Sequence, residues 1–355
     1  MSELVELHDA ENAVARVEAW LRGYGFFAPG GEHLVADLYL GYGLSQSIRR
    51  GASPPPPEPC PALPLAACMV RDGDAPTTQE NFVIGEWEQT WTAAEYRGAV
   101  EDVRDAIARG DVYQVNLVQH QQAPFAGDPR TLAARLAGLR PLHPDPFVTD
   151  GWAVVSASPE LFLARRGDRI WTKPIKGTRP LGDAAELQAS EKDAAEHVMI
   201  VDLERNDLSR VCVAGSVRWP ELMTTRALAG VEHMVSTVEG TLREDVELAD
   251  ILDATFPGWS VTGAPKIAAV DLVAGLEPVG RGAAMGALGR VYGNGDFDLA
   301  LTIRTFAIAD GSIHLWVGGG VVWDSDPAAE VEESWTKAAP LLAAVGSRLP
   351  DVVLA

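Results

Sequence analysis

The sequence predicts an α+β protein, and three observations carry that prediction. Strand-like runs and helical runs are both present but grouped, without the strict alternation of a parallel α/β sheet. Hydrophobic residues make up 47% of the 355, enough to bury a sizeable core. No internal repeat recurs at a fixed period, so a solenoid is excluded.

Taken in order, Ala13 to Leu21 has helical spacing, and Leu34 to Tyr42 reads as strand. Residues 54–64 hold seven prolines, which excludes regular helix or a central strand there. A surface loop of polyproline II character is expected, with a docking peptide as the alternative. Thr92 to Glu95 forms a capping box ahead of Tyr96, Val100, Val103 and Ile107, and Gly110 closes that helix. Asp111 to Gln119 alternates as a strand, with Gln114 and Asn116 on one face. Trp152 to Ser156 is a strand ending at Ser158-Pro159-Glu160. Leu161–Ala164 and Arg169–Thr172 form a hairpin around Arg166-Gly167-Asp168. A helix is expected over Glu186 to Leu203. Strands follow over Arg210–Val217, Val235–Leu242, Ala287–Tyr292, Ala300–Ala307 and Ser312–Val317. Asp326 fits an N-cap and Pro327 the first position of a last helix, with Val331, Trp335 and Ala338 on its buried side.

Charge and composition exclude several classes. The net charge of -21 disfavours nucleic-acid binding, which runs on cations neutralising phosphate. No apolar run reaches the length of a membrane span. Glu3, Glu6 and Asp9 deny the start a secretory leader's character, so a cytosolic location is expected. The three cysteines, Cys60, Cys68 and Cys212, have no metal or disulfide spacing and read as buried hydrophobes. An anionic substrate would need local positive charge in so acidic a protein.

Several clusters could supply chemistry. Asp193 and Glu196 share a helix face, as do Glu330 and Glu333. Two such pairs could converge on a hard cation such as magnesium or simply be solvated helix surface. Gly318, Gly319 and Gly320 interrupt a strand pattern, which suits either a bulge or a backbone that approaches an anion. Residues 257–266 form a Gly/Ser/Thr loop entering a helix, a possible anion cradle. Arg304 sits in an apolar run, where it must pair with a carboxylate of the protein or of a ligand. His233 is either structural or part of a pocket. Lys176, in Pro-Ile-Lys-Gly-Thr-Arg-Pro, is either a turn lysine or a nucleophile.

Together these stretches resemble the chorismate-utilising enzymes. The carriers are "GDVYQVNL", "SPELF", "PIKGTRPLG", "EKDAAEHVMIVDLERNDLSRV", "VEHMVSTVEGTL", "FPGWSVTGAPK", "DLALTIRTF" and "GGGVVWDSDPAAEVEESWTKAAPLL", in family order from Phe82 to Leu342. The resemblance implies one domain over 1–355, with 82–342 the catalytic core and 1–80 a shortened variable part. It implies the anthranilate synthase component I-like fold, two packed β-sheets with outer helices. It implies Mg2+ held by Asp193, Glu196, Glu330 and Glu333, gripping the ring carboxylate of chorismate. Arg304 and the backbone of Gly318, Gly319 and Gly320 are implied for the other carboxylate. Thr178, His233, Thr262 and Lys337 are implied to bind substrate, and Glu160 to protonate the departing C4 hydroxyl.

Gln114 stands where the water-using branch of the family carries a lysine base, which implies ammonia as the nucleophilic co-substrate. Lys176 stands where the aminodeoxychorismate synthase branch carries the lysine thought to attack C2, ahead of ammonia at C4. The implied product, 4-amino-4-deoxychorismate, precedes p-aminobenzoate and folate. A desolvated pocket is expected to lower the amine's pKa. The sequence has no cysteine suited to hydrolysing glutamine, so a glutamine amidotransferase subunit is implied as partner. Alternatives are anthranilate synthase component I, a specialised-metabolite aminodeoxychorismate or aminodeoxyisochorismate synthase, and a non-catalytic chorismate-binding subunit. Leu181, Trp259 and Ala284 depart from the family pattern, and no signature of a tryptophan pocket is found.

Overall fold

In the computed structural model, residues 3–71, 81–228 and 231–348 are described. The boundary expected at residue 80 falls outside them, as does the Thr178 side chain. Two antiparallel sheets with helices form an α+β architecture. One sheet runs Glu3–Leu7, Ala66–Val70, Val35–Leu40, Ala287–Tyr292, Phe297–Leu301, Leu161–Arg166, Arg169–Lys173, Val231–Thr241, Ile175–Pro180. Arg218–Leu228 also pairs with Val231–Thr241. The N-terminal strands are therefore an edge of this sheet, joined through Val35–Leu40 to Ala287–Tyr292. The other sheet runs Gly263–Ala264, Gln114–Ala126, Ser312–Val321, Thr305–Ala309, Trp152–Ser156, Phe147–Val148.

Strand periodicity separates the cores. Val154, Ala307 and Ala309 face a large core shared with Leu38, Leu40 and Leu288 of the first sheet. Their neighbours Val155, Phe306 and Ile308 face the opposite way, against Leu132, Trp335 and Leu342 of the helices Pro129–Leu136 and Pro327–Ala344. The helix Ala93–Arg109 covers a third cluster with Val115 and Leu117. Its capping box at Thr92 and Glu95 forms as expected, and Gly110 ends it at φ 81°. Asp326 caps the last helix by accepting from Ala328 and Ala329 N–H.

Three expectations change. The helix expected over Glu186–Leu203 is two, Ala184–Ala189 and Glu191–Ser209, because Ser190 breaks the run and N-caps the second by accepting from Asp193 N–H. Arg210–Val217 is no strand. Its apolar residues Val211 and Cys212 are buried in a turn with one bridge, Cys212 to Leu242. Ala300–Ala307 is two strands in different sheets, with 302–304 carrying the chain across. The 54–64 loop has neither helix nor strand.

Candidate active site

Two crossovers between the sheets meet at one place. Residues 157–160 leave Trp152–Ser156 for Leu161–Arg166, and residues 302–304 return from Phe297–Leu301 to Thr305–Ala309. They run side by side: Ala157 N donates to Arg304 O (2.9 Å) and Leu301 N to Glu160 O (3.0 Å). The architecture thus brings together Glu160 and Arg304, distant in sequence. Arg304 takes φ 51°, a left-handed conformation that costs an arginine about 1 kcal/mol or more. Its guanidinium makes no ion pair among the described residues. Burial lowers its pKa while Glu160 opposes the shift. A half-buried guanidinium without a counter-ion suits an incoming carboxylate.

Glu160 is 4% exposed. Burial raises its pKa, against Lys176, a hydrogen bond from Ser260, the Ile175 N–H and Arg304. Burial thus favours the protonated form, which suits the group to donate a proton.

Lys176 lies on the strand Ile175–Pro180. Its pairing with Val231–Thr241 bulges at Gly177 (φ 67°), the extra residue between the Lys176–Met234 and Thr178–His233 pairs. His233, buried, sets Nδ1 3.2 Å from Gly177 O. Lys176 Nζ lies 3.1 Å from Glu196 Oε1, and Gln114 Nε2 donates to the same oxygen at 2.8 Å. Gln114 Oε1 is buried with no hydrogen-bond partner among the described residues, leaving one polar atom for a ligand. Burial pulls the Lys176 pKa down, but Glu196 and Glu160 outweigh it, and the amine stands above its ordinary value. The expected lowering is reversed, because the acids are closer than composition reveals.

Gly318, Gly319 and Gly320 pair with Val118, Leu117 and Asn116, so the stretch is regular strand rather than bulge. The neighbouring strand Thr305–Ala309 stops pairing at Leu315, so beyond it one edge is open among the described residues. Alternate peptide groups of the glycines face that edge, where N–H groups can receive an anion. Lys337 Nζ bonds Gly318 O (3.0 Å) and Glu333 Oε1 (2.7 Å). Thr262 is fully buried, and its carbonyl accepts from Asn116 N–H.

The four predicted metal ligands are not equivalent. Asp193 pairs with Arg179 (3.0 Å), which also holds Glu186. Glu330 is buried and accepts from Ser325 Oγ (2.6 Å). Among the described residues no group of three or more His, Cys, Asp or Glu forms a ready metal cage. The remaining candidate carboxylates approach the glycine strand from both of its faces. A Cβ on Gly319 would stand 3.3 Å from both Glu330 Oε2 and Glu333 Oε1 and 3.2 Å from the Lys337 ammonium that pairs with Glu333, whereas one on Gly320, on the opposite face of the strand, would meet the Gln114 amide and stand 3.3 Å from Glu196 Oε1. The candidate donors are all carboxylate oxygens, the type that magnesium takes, one or two bound directly with water completing the shell.

Sequence reasoning missed a neighbouring cluster. Asp207 Oδ2 accepts from Trp259 Nε1 (2.5 Å) and Lys266 Nζ (2.8 Å), and Lys266 also bonds Thr255 O (2.9 Å). Glu204 stands beside it, with Glu160 and Asp207 both acting on its carboxyl. Glu204 and Asp207 continue the face of Glu196 along one helix, a spacing that could have revealed them. The 257–266 loop is thus anchored by Trp259 and Lys266 to that helix, and Ala284 is buried core.

The sequence profile described as chorismate binding enzyme matches residues 54–343, and the chain belongs to that family. It is 39% identical over 315 residues to anthranilate synthase component 1 of Streptomyces coelicolor, covering 85% of this chain and 59% of the relative. It is 40% identical over 270 residues to aminodeoxychorismate synthase component 1 of Escherichia coli, covering 73% and 59%. The chain thus spans about three-fifths of the length of these curated relatives. The structure resembles anthranilate synthase component I from Streptococcus pneumoniae, with TM-score 0.78, 26% identity and coverage of 88% and 81%. No helix among the described residues is long and apolar enough to cross a membrane.

Proposed function

We propose that the chain converts chorismate and ammonia to 4-amino-4-deoxychorismate, as an aminodeoxychorismate synthase component I. The observation that carries this reading is Lys176, its amine buried among Glu196, Gln114 and Glu160. Arg304 and the open edge of the glycine strand receive one carboxylate of the substrate. Magnesium, held by Glu196, Glu330 and Glu333, would supply positive charge for the other. Glu160 gives its proton to the C4 hydroxyl as the C4–O bond breaks. Lys176 forms its bond to C2 after passing a proton to Glu196 Oε1, the acceptor within reach. Ammonia then adds at C4 and the amine leaves C2 with the bonding pair, taking back its proton from Glu196, so both residues are regenerated. Gln114 cannot act as a base, so water is not activated at its position.

A glutamine amidotransferase subunit would supply the ammonia. Burial pushes the thiols here up, Cys60 to about 12 and Cys212 to about 11, so neither is a nucleophile at neutral pH. The second reading is anthranilate synthase component 1, the name carried by the relative from Streptomyces coelicolor. Incubation with chorismate, magnesium and ammonium separates them. Aminodeoxychorismate, converted to p-aminobenzoate on adding its lyase, supports the proposal; fluorescent anthranilate as main product overturns it.

A further inference from the structure

The strand Gln114–Ala126 carries Gln114, Asn116 and Val118 on one face. Val118 lies in the large apolar core, and Gln114 reaches Glu196 beside Lys176. Asn116, 7% exposed, stands between them, where the site meets the core. It pairs with Gly320 across the ladder. Side chains directly opposite on paired strands stand about 5 Å apart at Cβ. A Cβ at Gly320 would fall 2.3 Å from Gln114 Nε2 and 3.3 Å from Glu196 Oε1, so Asn116 borders both across a residue with no side chain. The Asn116 backbone is pinned on its other edge. Its N–H donates to Thr262 O at 2.9 Å, and its carbonyl accepts from the buried Arg281 Nη2 at 2.6 Å. The side chain is not satisfied in the same way. Its Nδ2 meets the Met285 thioether, a weak acceptor, at 3.7 Å, and its Oδ1 accepts no hydrogen bond among the described residues. An amide beside an apolar core with an idle acceptor costs stability that a leucine would not. Packing therefore gives no reason for an asparagine here, and a ligand does.

We propose that Asn116 holds the ammonia, its Oδ1 accepting one N–H so that the nitrogen lone pair stays free for C4. The inference rests on the proposed use of ammonia by this chain. The idle atom is an acceptor, and that decides the chemistry of its ligand. A carboxylate of chorismate offers only acceptors and does not fit it. The C4 hydroxyl is a donor, but Glu160 meets it in the reaction proposed above. Ammonia donates three N–H groups. Gln114 Oε1, two residues back on the same face, is buried and likewise has no donor among the described residues. Two acceptors without donors on one strand face suit a molecule that donates more than one hydrogen bond. The long-range bonds to Thr262, Arg281 and Gly320 fix the strand that presents them.

The test measures initial rates of the full chain with magnesium, varying chorismate and ammonium in turn. Asn116→Leu raises the KM for ammonium about five- to tenfold, the loss of one hydrogen bond to a bound ligand, and leaves the KM for chorismate within about twofold. Its thermal midpoint is not lowered, because the leucine extends the core of Val118. A merely structural asparagine would give the reverse, a lowered midpoint with both constants unmoved. Asn116→Asp keeps an acceptor oxygen and returns the ammonium KM to within about twofold of the wild type. Asn116→Ala gives the same split as Asn116→Leu and stands in for it where the leucine does not pack. An unchanged ammonium KM in Asn116→Leu and Asn116→Ala overturns the inference. So does a rise confined to chorismate or shared equally by both substrates, which would assign the oxygen to the ring. The wild type tests the underlying reading separately: a hydroxylated product formed without ammonium overturns the use of ammonia itself, whatever the Asn116 variants do.

Discussion

Lys176 and Lys266 are almost equally buried, with 12% and 10% of their side chains exposed, and each meets a carboxylate, at 3.1 and 2.8 Å. Their surroundings differ. Lys266 is saturated: Asp207, the Thr255 carbonyl and the face of Trp259, 4.6 Å away, surround its ammonium. Lys176 meets Glu196 alone among the described residues and shares that oxygen with Gln114. The titration directions are opposite too. Burial lowers the Lys266 pKa in spite of Asp207, whereas at Lys176 the surrounding acids overcome burial. A fully partnered cation holds a loop in place. One with donors to spare, beside a buried acid and an arginine that makes no ion pair among the described residues, is available to a ligand.

The largest effect expected separates these roles directly. Lys176→Met lowers product formation by at least about a hundredfold, the scale of losing one group in the chemistry. Its thermal midpoint stays within about 2 °C, because the site loses a partner of Glu196 but no packing. Lys266→Met behaves the other way. It leaves Asp207 buried without its cation and costs about 3–5 kcal/mol in urea denaturation. A stable but inactive Lys266→Met enzyme, or an unstable but active Lys176→Met one, breaks the comparison.

Smaller changes sharpen it. Gly320→Ala places a methyl against the Gln114 amide and beside Glu196. Overpacking there costs about 1–3 kcal/mol, and substrate KM rises because Gln114 must turn away. Glu196→Gln is the subtlest. It removes the charge that most favours the Lys176 ammonium, so the amine's pKa falls. Acylation of Lys176, followed by mass spectrometry across pH, then starts at lower pH than in the wild type. An unchanged or higher onset refutes the assignment of Glu196 as the dominant partner. The pH profile carries a related sign. Glu160 acts protonated with a raised pKa, so the rate falls as pH climbs through that value. A rate that holds level through the alkaline range would assign the acid to another group.

Local signals were legible and long-range ones were not. Thr92 with Glu95, and Asp326 with Pro327, mark helix starts through bonds made within one turn. Lys176, Glu160 and Glu196 were found only because several motifs together resemble one family, since none is a distinctive pattern alone. Arg304 reads from sequence as mid-strand because an apolar run keeps its alternation while changing sheets. The φ of 51° that marks the corner has no glycine to announce it. Asp193 faced the expected side of its helix, but nothing local foretold that Arg179 would take it. Glu204 and Lys266 went unremarked because their importance lies in what surrounds them, which only the tertiary structure supplies.

The paired crossovers at 157–160 and 302–304 have one more consequence. Each belongs half to one sheet and half to the other, so Glu160 and Arg304 stand like the two jaws of a caliper whose arms are the sheets. Any slippage between the arms is read at the jaws. Trimming Leu38 or Ile170 in the core between the arms will therefore blunt substrate grip while both sheets are still intact, and function will report wear in this protein sooner than melting does.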